Sequence, residues 1–210
     1  MRLFREEVTM KKILLVLFLI SLLATVFFIS EKNYLYAITA HVALASIAIY
    51  FIYRKDFATL LSDLGIPCGI SRLLKYTILG LAVIFIGSIV ISQVMMHFGL
   101  WDQAKVRERI TGMPWYVLLL AVTIVPISEE LFFRGLLLNK IGILPSSILF
   151  AAAHFAYGST AEIIITFLIG LWFAYICKRS KSVLPTMVIH LIYNLLSISI
   201  MLLAARIGIS

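Results

Sequence analysis

Six charged or hydrogen-bonding residues lie inside stretches of the chain that are otherwise apolar. They are Glu129, Glu130 and Arg134 within "VPISEELFFRGLLLNK" (125–140), His154 in the next apolar stretch, and His190 and Asn194 in the last one. An ionisable side chain near the middle of a membrane span costs at least ~2.5–3.5 kcal/mol, so such a residue marks a functional site by default. If these stretches cross a membrane, the six residues are candidates for one shared site.

Helical spacing gives the two glutamates different neighbours. Glu130 and Arg134 are four residues apart, so they share a helix face and can form an ion pair. Glu129 is turned roughly 100° from Glu130 and about 140° from Arg134 at 3.6 residues per turn. The spacing therefore predicts that Glu130 is neutralised by the arginine, while Glu129 faces another part of the site. The alternative is that all three charges only hold this span to its neighbours.

The residue types favour hydrolysis by an activated water. The sequence has no GxSxG motif, no usable cysteine pair and no HExxH motif, so neither a covalent nucleophile nor that zinc site is indicated. A poorly solvated carboxylate can act as a general base near neutral pH, so Glu129 with His154 could deprotonate a water. His190 and Asn194, four residues apart, could donate hydrogen bonds to the oxyanion that forms on an attacked carbonyl. Phe150 is four residues before His154, and its ring is expected beside the imidazole.

The elements that position these residues are predicted to be transmembrane helices. Of 210 residues, 62% are hydrophobic and 13% charged, against roughly 45–50% and about 25% in soluble domains. The apolar runs are too long and continuous for barrel strands, so the expected fold is an all-α bundle with about seven spans, between six and eight. The predicted spans are 13–30, 34–53, 76–98, 115–138, 141–157, 161–177 and 183–205. They form a single membrane domain over 1–210, with N-terminal spans in 13–98 and the catalytic spans in 115–205.

The predicted depths of the polar residues coincide. Glu129 lies about 15 Å from the end of its span near Asn139, and His190 and Asn194 lie about 10 and 16 Å into the last span. His154 lies about 20 Å into its span, or less if Pro145 delays the helix. Three spans thus place their polar groups in one layer, which is what a shared cavity requires.

Basic residues predict how the chain is inserted. They cluster before the first span, between spans two and three (including Arg72 and Lys75), and after spans four and six. With seven spans and a cytoplasmic N-terminus, these groups all face the cytoplasm, although the loop 101–110 carries three basic and two acidic residues outside. The net charge of +8 is thus mostly a topology signal and an attraction to anionic lipid, and no nucleic-acid partner is indicated. The first span is expected to be a retained signal-anchor, whether the chain starts at Met1 or Met10. Cys68 and Cys177 have neither disulfide nor metal-ligand spacing. His41 is expected to form a helix–helix hydrogen bond, and His97 is expected at the membrane interface.

Three sequence blocks resemble those of the CPBP family of CAAX proteases and bacteriocin-processing enzymes, also called Abi proteins. The family blocks E-E-x-x-x-R, F-x-x-x-H and H-x-x-x-[ND] read here "EELFFR", "FAAAH" and "HLIYN". Each block alone is weakly specific, but all three occur in order and on separate spans. The resemblance covers residues 115–200.

The resemblance implies an intramembrane endopeptidase of the glutamic type. It assigns water activation to Glu129 with His154, and the oxyanion pocket to His190 and Asn194. Phe150 is expected in the pocket, and no cofactor is expected, although a carboxylate with two histidines is also a zinc set. The expected substrate is a membrane-associated peptide or lipidated protein, cut at a site nearer the cytoplasmic side of a bacterial membrane.

Two other functions remain open on the sequence alone. A non-catalytic immunity or regulatory protein of the same family would use the polar cluster only to hold its helices together. A proton-coupled transporter also uses buried Glu and His, but the sequence has no repeat halves.

Overall fold

The computed structural model describes residues 57–208 together with Ala43. Within these residues the secondary structure is helical throughout. The helices are α1 (Phe57–Asp63), α2 (Ile70–His97), α3 (Ala104–Thr111), α4 (Trp115–Ile141), α5 (Ile143–Ala153), α6 (Thr160–Ser180) and α7 (Leu184–Arg206). The all-α prediction is confirmed for this part of the chain.

Four of these helices, α2, α4, α6 and α7, are long and apolar enough to cross a membrane. They correspond to the predicted spans 76–98, 115–138, 161–177 and 183–205, whereas α5 with its following turn (Ile143–Tyr157) is shorter. The predicted spans 13–30 and 34–53, His41 and the basic residues before the first span lie outside the described residues. The total of seven spans and the cytoplasmic N-terminus therefore stay predictions.

Helix α2 begins at Ile70, six residues before the predicted span. Its first turns contain Arg72 and Lys75, which the prediction counted as loop. Long basic side chains can lie along an apolar surface while their charges stay in water, so a spanning helix accommodates them near its end. Further along α2, apolar side chains such as Ile78, Ile86 and Ile89 are exposed, as expected of a face in contact with lipid.

Helix α4 is interrupted twice where it carries the glutamates. An α-helical segment, Trp115–Val122, ends at Thr123 (φ −111°, ψ −75°), and a second one runs over Ile124–Glu130. Pro126 has no N–H, so the carbonyl of Val122 lacks its usual donor four residues on, which accounts for the break at this point. The chain then widens into a π-helix over Leu131–Leu137 before a last α-helical turn, Leu138–Ile141. Segments of π-helix within α-helices are frequent at functional sites.

Helix α5 ends at the histidine that the sequence singled out. Pro145 lies in the first turn of α5, where proline is tolerated, so it does not delay the helix. His154 is the C-terminal capping residue of α5 and precedes a 3₁₀ turn, Phe155–Tyr157. Its imidazole therefore projects from a helix end and not from mid-span.

Helices α6 and α7 form the centre of the bundle. Helix α6 packs along α5 and α2, and α7 packs against α2, α3 and α4. At Gly170 of α6, an added Cβ would lie 3.2 Å from Phe150 and 3.2 Å from Ser147, so the missing side chain brings α5 and α6 close together. This packing places the end of α5 beside α4 and α7.

Candidate active site

The ion pair predicted within α4 is present and fully enclosed. Arg134 Nη1 lies 3.2 Å from Glu130 Oε1, and the two residues are 2% and 0% exposed. The pair forms across the junction between the α-helical and π-helical segments, although it was predicted for a regular α-helix with 3.6 residues per turn.

Aromatic rings surround the guanidinium of Arg134. Its Cζ lies 4.1 Å from the ring centre of Phe150, 5.1 Å from that of Phe173 and 5.9 Å from that of Phe133. The faces of aromatic rings carry partial negative charge and attract cations, more strongly where water is excluded. The rings on α4, α5 and α6 therefore help to stabilise a charge that is almost fully buried.

His190 of α7 contacts both glutamates. Its Nδ1 lies 3.1 Å from Glu130 Oε1, and its Nε2 lies 3.7 Å from Glu129 Oε2. A carboxylate accepts hydrogen bonds, so Nδ1 carries a proton and donates it to Glu130. Glu129 and His190 are each 5% exposed. The imidazole thus joins α7 to α4 inside the bundle and turns its second nitrogen toward Glu129.

Thr186 adds a further polar contact to this cluster. It lies one helical turn before His190 on the same face of α7 and is completely buried. Its hydroxyl hydrogen-bonds the carbonyl of Val183 at 2.9 Å and also interacts with the Glu130 carboxylate. The sequence interpretation missed Thr186, although its position four residues before His190 places its hydroxyl on the same helix face as the imidazole. Phe173, also missed, is one phenylalanine among many and carries no such signal.

His154 is held by its own helix. Its Nδ1 lies 2.9 Å from the carbonyl oxygen of Phe150, and a carbonyl can only accept, so Nδ1 carries the proton. Its Nε2 is then the acceptor nitrogen of the neutral ring. The imidazole packs at 4.9 Å from the Phe150 ring and stacks at 6.1 Å on Tyr157. It also interacts electrostatically with Glu129, so it belongs to the same cluster.

Asn194 lies one turn beyond His190 and contacts the break in α4. Its side-chain nitrogen donates to the carbonyl of Ala121 at 3.0 Å, one residue before the first α-helical segment ends. Carbonyls near a helix end lack intrahelical donors, so this bond satisfies one of them. The second hydrogen of the amide remains for another acceptor.

Phe150, expected in a substrate pocket, is 1% exposed. Its ring contacts Arg134 and both imidazoles, with ring centres 4.9 Å from His154 and 6.0 Å from His190. In this structure it packs between the charged groups and sets their spacing.

The zinc alternative depends on the same three groups, Glu129, His154 and His190. Among residues 57–208, no group of three or more His, Cys, Asp or Glu side chains has an arrangement that could hold a metal ion. His190 directs one nitrogen at each glutamate, so neither nitrogen points away from the carboxylates. The absence of a cofactor stays a prediction, and the response of the protein to a chelator tests it.

The region that contains the three motifs matches a known family. Residues 111–196 match the model of the Rce1-like family, described as type II CAAX prenyl endopeptidase Rce1-like. The predicted resemblance to CAAX proteases is thereby confirmed, and the matched segment contains all six residues from which the sequence interpretation started.

One curated protein is similar over most of the chain. The chain is 25% identical over 183 residues to an uncharacterized 24.3 kDa protein of Escherichia coli, and the match covers 77% of this chain and 78% of that protein. No solved structure matches the chain. The Rce1-like region and the four apolar helices indicate an integral membrane protein of the CAAX-protease type.

Proposed function

We propose that the protein is an intramembrane endopeptidase that hydrolyses a peptide bond in a membrane-associated peptide or lipidated protein. The observation that carries the proposal is the buried contact between Glu129 on α4 and His190 on α7, beside the Glu130–Arg134 ion pair. The match of residues 111–196 to a family described as prenyl endopeptidases supports the same reaction class.

Water activation is assigned to Glu129 with His154. The acceptor nitrogen of His154 and the Glu129 carboxylate can both receive hydrogen bonds from one water, which orients its oxygen toward a substrate carbonyl. Glu129 takes a proton from this water as its oxygen bonds to the carbonyl carbon. When the tetrahedral intermediate collapses, the C–N bond breaks and Glu129 returns the proton to the departing amine.

Stabilisation of the oxyanion is assigned to His190 and Asn194. With a proton on each ring nitrogen, His190 donates through Nδ1 to Glu130 and has an N–H at Nε2 for the developing negative charge. In that state two carboxylates, one guanidinium and one imidazolium make the buried cluster neutral, which lowers the cost of keeping charges out of water. The second hydrogen of the Asn194 amide is the other donor.

The proposal places the reaction in a bacterial cytoplasmic membrane, with the site nearer the cytoplasmic side. Whether the substrate carries a prenyl group is a separate question from the mechanism, because Glu129, His154, His190 and Asn194 are assigned to the peptide bond and not to a lipid chain.

The experiment that tests the proposal is Glu129→Gln in the full-length protein. Peptides from membranes that contain wild-type protein are compared with those from membranes that contain the variant, and candidate substrates are then cut by purified protein in vesicles. We expect cleavage to fall by at least roughly a thousandfold, because the variant cannot accept the proton. The matched control is Glu108→Gln on the exposed face of α3, which should cleave normally.

Two results would count against this mechanism. If Glu129→Gln, His154→Ala and His190→Ala all keep their cellular phenotype, the cluster acts as a scaffold in a non-catalytic protein. If a chelator abolishes cleavage and added zinc restores it, the water is activated by a metal and not by the carboxylate alone.

A further inference from the structure

A second polar site lies at one end of the bundle, outside the motif cluster. It is a cavity of about 410 Å³ between the start of α2 and the end of α6. Its lining is polar and basic: Ser71, Arg72, Lys75, Tyr76, Arg179, Ser180 and Lys181. The proposed reaction uses none of these residues, so the cavity needs its own explanation.

Four cations converge on this cavity without a carboxylate in its lining. Arg72 and Lys75 come from α2, and Arg179 and Lys181 come from the end of α6 and the turn after it. Within residues 57–208, none of the four forms an ion pair with an acidic side chain. Like charges gathered at one cavity repel one another, and an anion in the cavity would relieve that repulsion.

Neighbouring groups hold three of the cations in place. The guanidinium of Arg72 donates to the carbonyl of Ser180 at 3.4 Å, which joins α2 to α6. Lys75 Nζ lies 5.7 Å from the ring centre of Tyr76, and Arg179 Cζ lies 5.6 Å from that of Tyr175.

The turn that carries Lys181 is built around two buried serines. The Ser180 hydroxyl donates to the carbonyl of Ser182 at 2.9 Å and accepts from the Ser182 N–H at 3.3 Å. Lys181 between them has φ 54°, and it is the one non-glycine residue with positive φ in the described part of the chain. Side chains other than glycine rarely adopt this conformation. A hydrogen bond to the segment after α1 also holds the turn, because the Val183 N–H donates to the Leu64 carbonyl at 3.0 Å.

We infer that this cavity binds the phosphate of an anionic phospholipid headgroup. Several cations around one polar cavity suit a phosphodiester. The surface beside the cavity suits the acyl chains of the lipid. Ile78 and Leu79 lie one helical turn beyond Lys75 on the same face of α2 and are 65% and 42% exposed.

Membrane topology alone accounts for basic residues at this end but not for their arrangement. The positive-inside tendency depends on how many lysines and arginines a loop carries. It does not require residues from two helices to surround one cavity or a strained backbone at Lys181. Lys178, which lies on the same turn of α6 but outside the cavity lining, provides the comparison.

The test measures lipid binding by the full-length protein, with native mass spectrometry in detergent and with thermal unfolding. The probes are short-chain phosphatidylglycerol, short-chain phosphatidylcholine and inorganic phosphate. We expect phosphatidylglycerol to bind and to raise the unfolding temperature, with little effect of the other two. The double variant Arg72→Gln/Arg179→Gln should bind phosphatidylglycerol roughly tenfold to thirtyfold more weakly. Lys178→Gln should bind within about twofold of the wild-type protein, since its charge lies outside the cavity.

Three outcomes would overturn the inference. Equal weakening by Lys178→Gln would mean that binding follows net charge and not the cavity. Displacement of phosphatidylglycerol by millimolar phosphate would mean that a free anion is the ligand. Equal binding of phosphatidylcholine would mean that the headgroup charge is not recognised. The unfolding temperature of each variant without lipid shows whether it is folded, and binding is compared only between variants that unfold as the wild-type protein does.

Discussion

At the scale of single residues, the central physical problem is how a lipid-embedded bundle keeps two carboxylates close together. Two groups keep them apart or neutralise them: Arg134 is 3.2 Å from Glu130, and the His190 imidazole lies between the two glutamates. Glu130 Oε1 contacts both Arg134 Nη1 and His190 Nδ1, so this oxygen is committed to structural contacts. Glu129 contacts the imidazole at a longer distance, which leaves room for a water or substrate atom to intervene.

The separate roles of the two glutamates predict different consequences of the same substitution. Glu130→Gln removes the carboxylate from a pair in which Arg134 is 2% exposed, so the arginine keeps a buried charge without its counter-ion. We expect the free energy of unfolding to fall by about 3 kcal/mol. Unfolding in mixed micelles measures this loss, and Glu129→Gln should change stability much less.

A double variant controls for effects other than the stranded charge. Glu130→Gln/Arg134→Met removes both charges and keeps a long apolar side chain against the phenylalanines. It should be more stable than Glu130→Gln alone, since no unpaired cation remains. If the double variant is less stable by the full sum of the two single losses, Arg134 contributes through its packing and not through the ion pair.

Asn194 is predicted to affect catalysis more than folding. The Asn194→Ala variant loses one hydrogen bond to Ala121, a loss of about 1 kcal/mol in stability. It also loses the proposed oxyanion donor, which should lower kcat by roughly a hundredfold to a thousandfold with little change in KM. Steady-state cleavage in vesicles separates the two parameters. A fall in activity no larger than the fall in folded protein would assign Asn194 a purely structural role.

The sequence was sufficient to predict some contacts of the site and not others. The Glu130–Arg134 pair follows from a spacing of four residues within one helix, which geometry alone determines. The contact of His190 with both carboxylates could not be predicted, because it depends on how α7 is rotated against α4. That rotation is decided by packing at many apolar positions that a single sequence does not distinguish.

At the scale of whole elements, the predicted common depth rested on regular helices, and two of the elements are irregular. The π-helical segment of α4 starts directly after Glu130, and His154 caps the end of α5. Neither of these two irregularities has a strong local signal in the sequence. Pro126 does give such a signal, but for the separate break in α4 before the glutamates. The polar groups still meet, because α5 ends beside the segment of α4 that carries them.

Close approach of α5 and α6 at Gly170 predicts sensitivity to side-chain size. In Gly170→Val the new side chain meets Phe150 and the backbone of Ser147, with the Cβ 3.3 Å from the Ser147 Cα. We expect a loss of about 1–3 kcal/mol in the free energy of unfolding, together with lower activity, because Phe150 spaces the charged groups. Gly87→Val in α2 is the matched control, since no atom lies within 4 Å of its added Cβ. Equal losses in the two variants would show that helix propensity, and not packing, is responsible.

Contacts of Asp102 at the N-terminal end of α6 predict that the stability of the protein depends on pH. Asp102 accepts hydrogen bonds from the Ser159 hydroxyl at 2.6 Å and from the N–H groups of Thr160 and Ala161 at 3.0 Å each. Partial burial raises the pKa of this carboxyl, but these bonds, together with Lys105, outweigh it and hold the pKa well below its usual range. The folded state therefore binds the proton less readily than the unfolded chain.

The stabilisation from Asp102 should thus be complete above the ordinary aspartate pKa, about 4, and decline as the pH falls below that value. Thermal unfolding between neutral pH and pH 3 measures the decline. Asp102→Asn should be less stable than wild type at pH 7 and approach it at low pH. A constant difference between the two proteins at every pH would contradict the assignment.

At the scale of the whole molecule, the described helices have two distinct ends. Arg72 at the start of α2 contacts Ser180 at the end of α6, so two of the predicted cytoplasmic basic groups do lie together. Asp102 binds the first turn of α6, which places α3 and the loop 101–110 at the opposite end. This separation agrees with the predicted loop positions. Only one question about orientation then remains for the described helices, namely which of the two ends faces the cytoplasm.

The positive-inside tendency makes that choice testable with the native cysteines. Cys68 is partly exposed near the start of α2, while Cys177 is buried, so a membrane-impermeant maleimide should react with Cys68 and spare Cys177. We expect no labelling in sealed right-side-out vesicles and labelling in inverted ones, because the end that carries Arg72 should face the cytoplasm. Glu108→Cys in a Cys68→Ala background should show the reverse pattern, because residue 108 lies in α3 at the other end. Labelling of Cys68 from the outside would show that the bundle is inserted the other way round. The basic cavity would then lie at the external leaflet, which contradicts the topology predicted from the charge distribution.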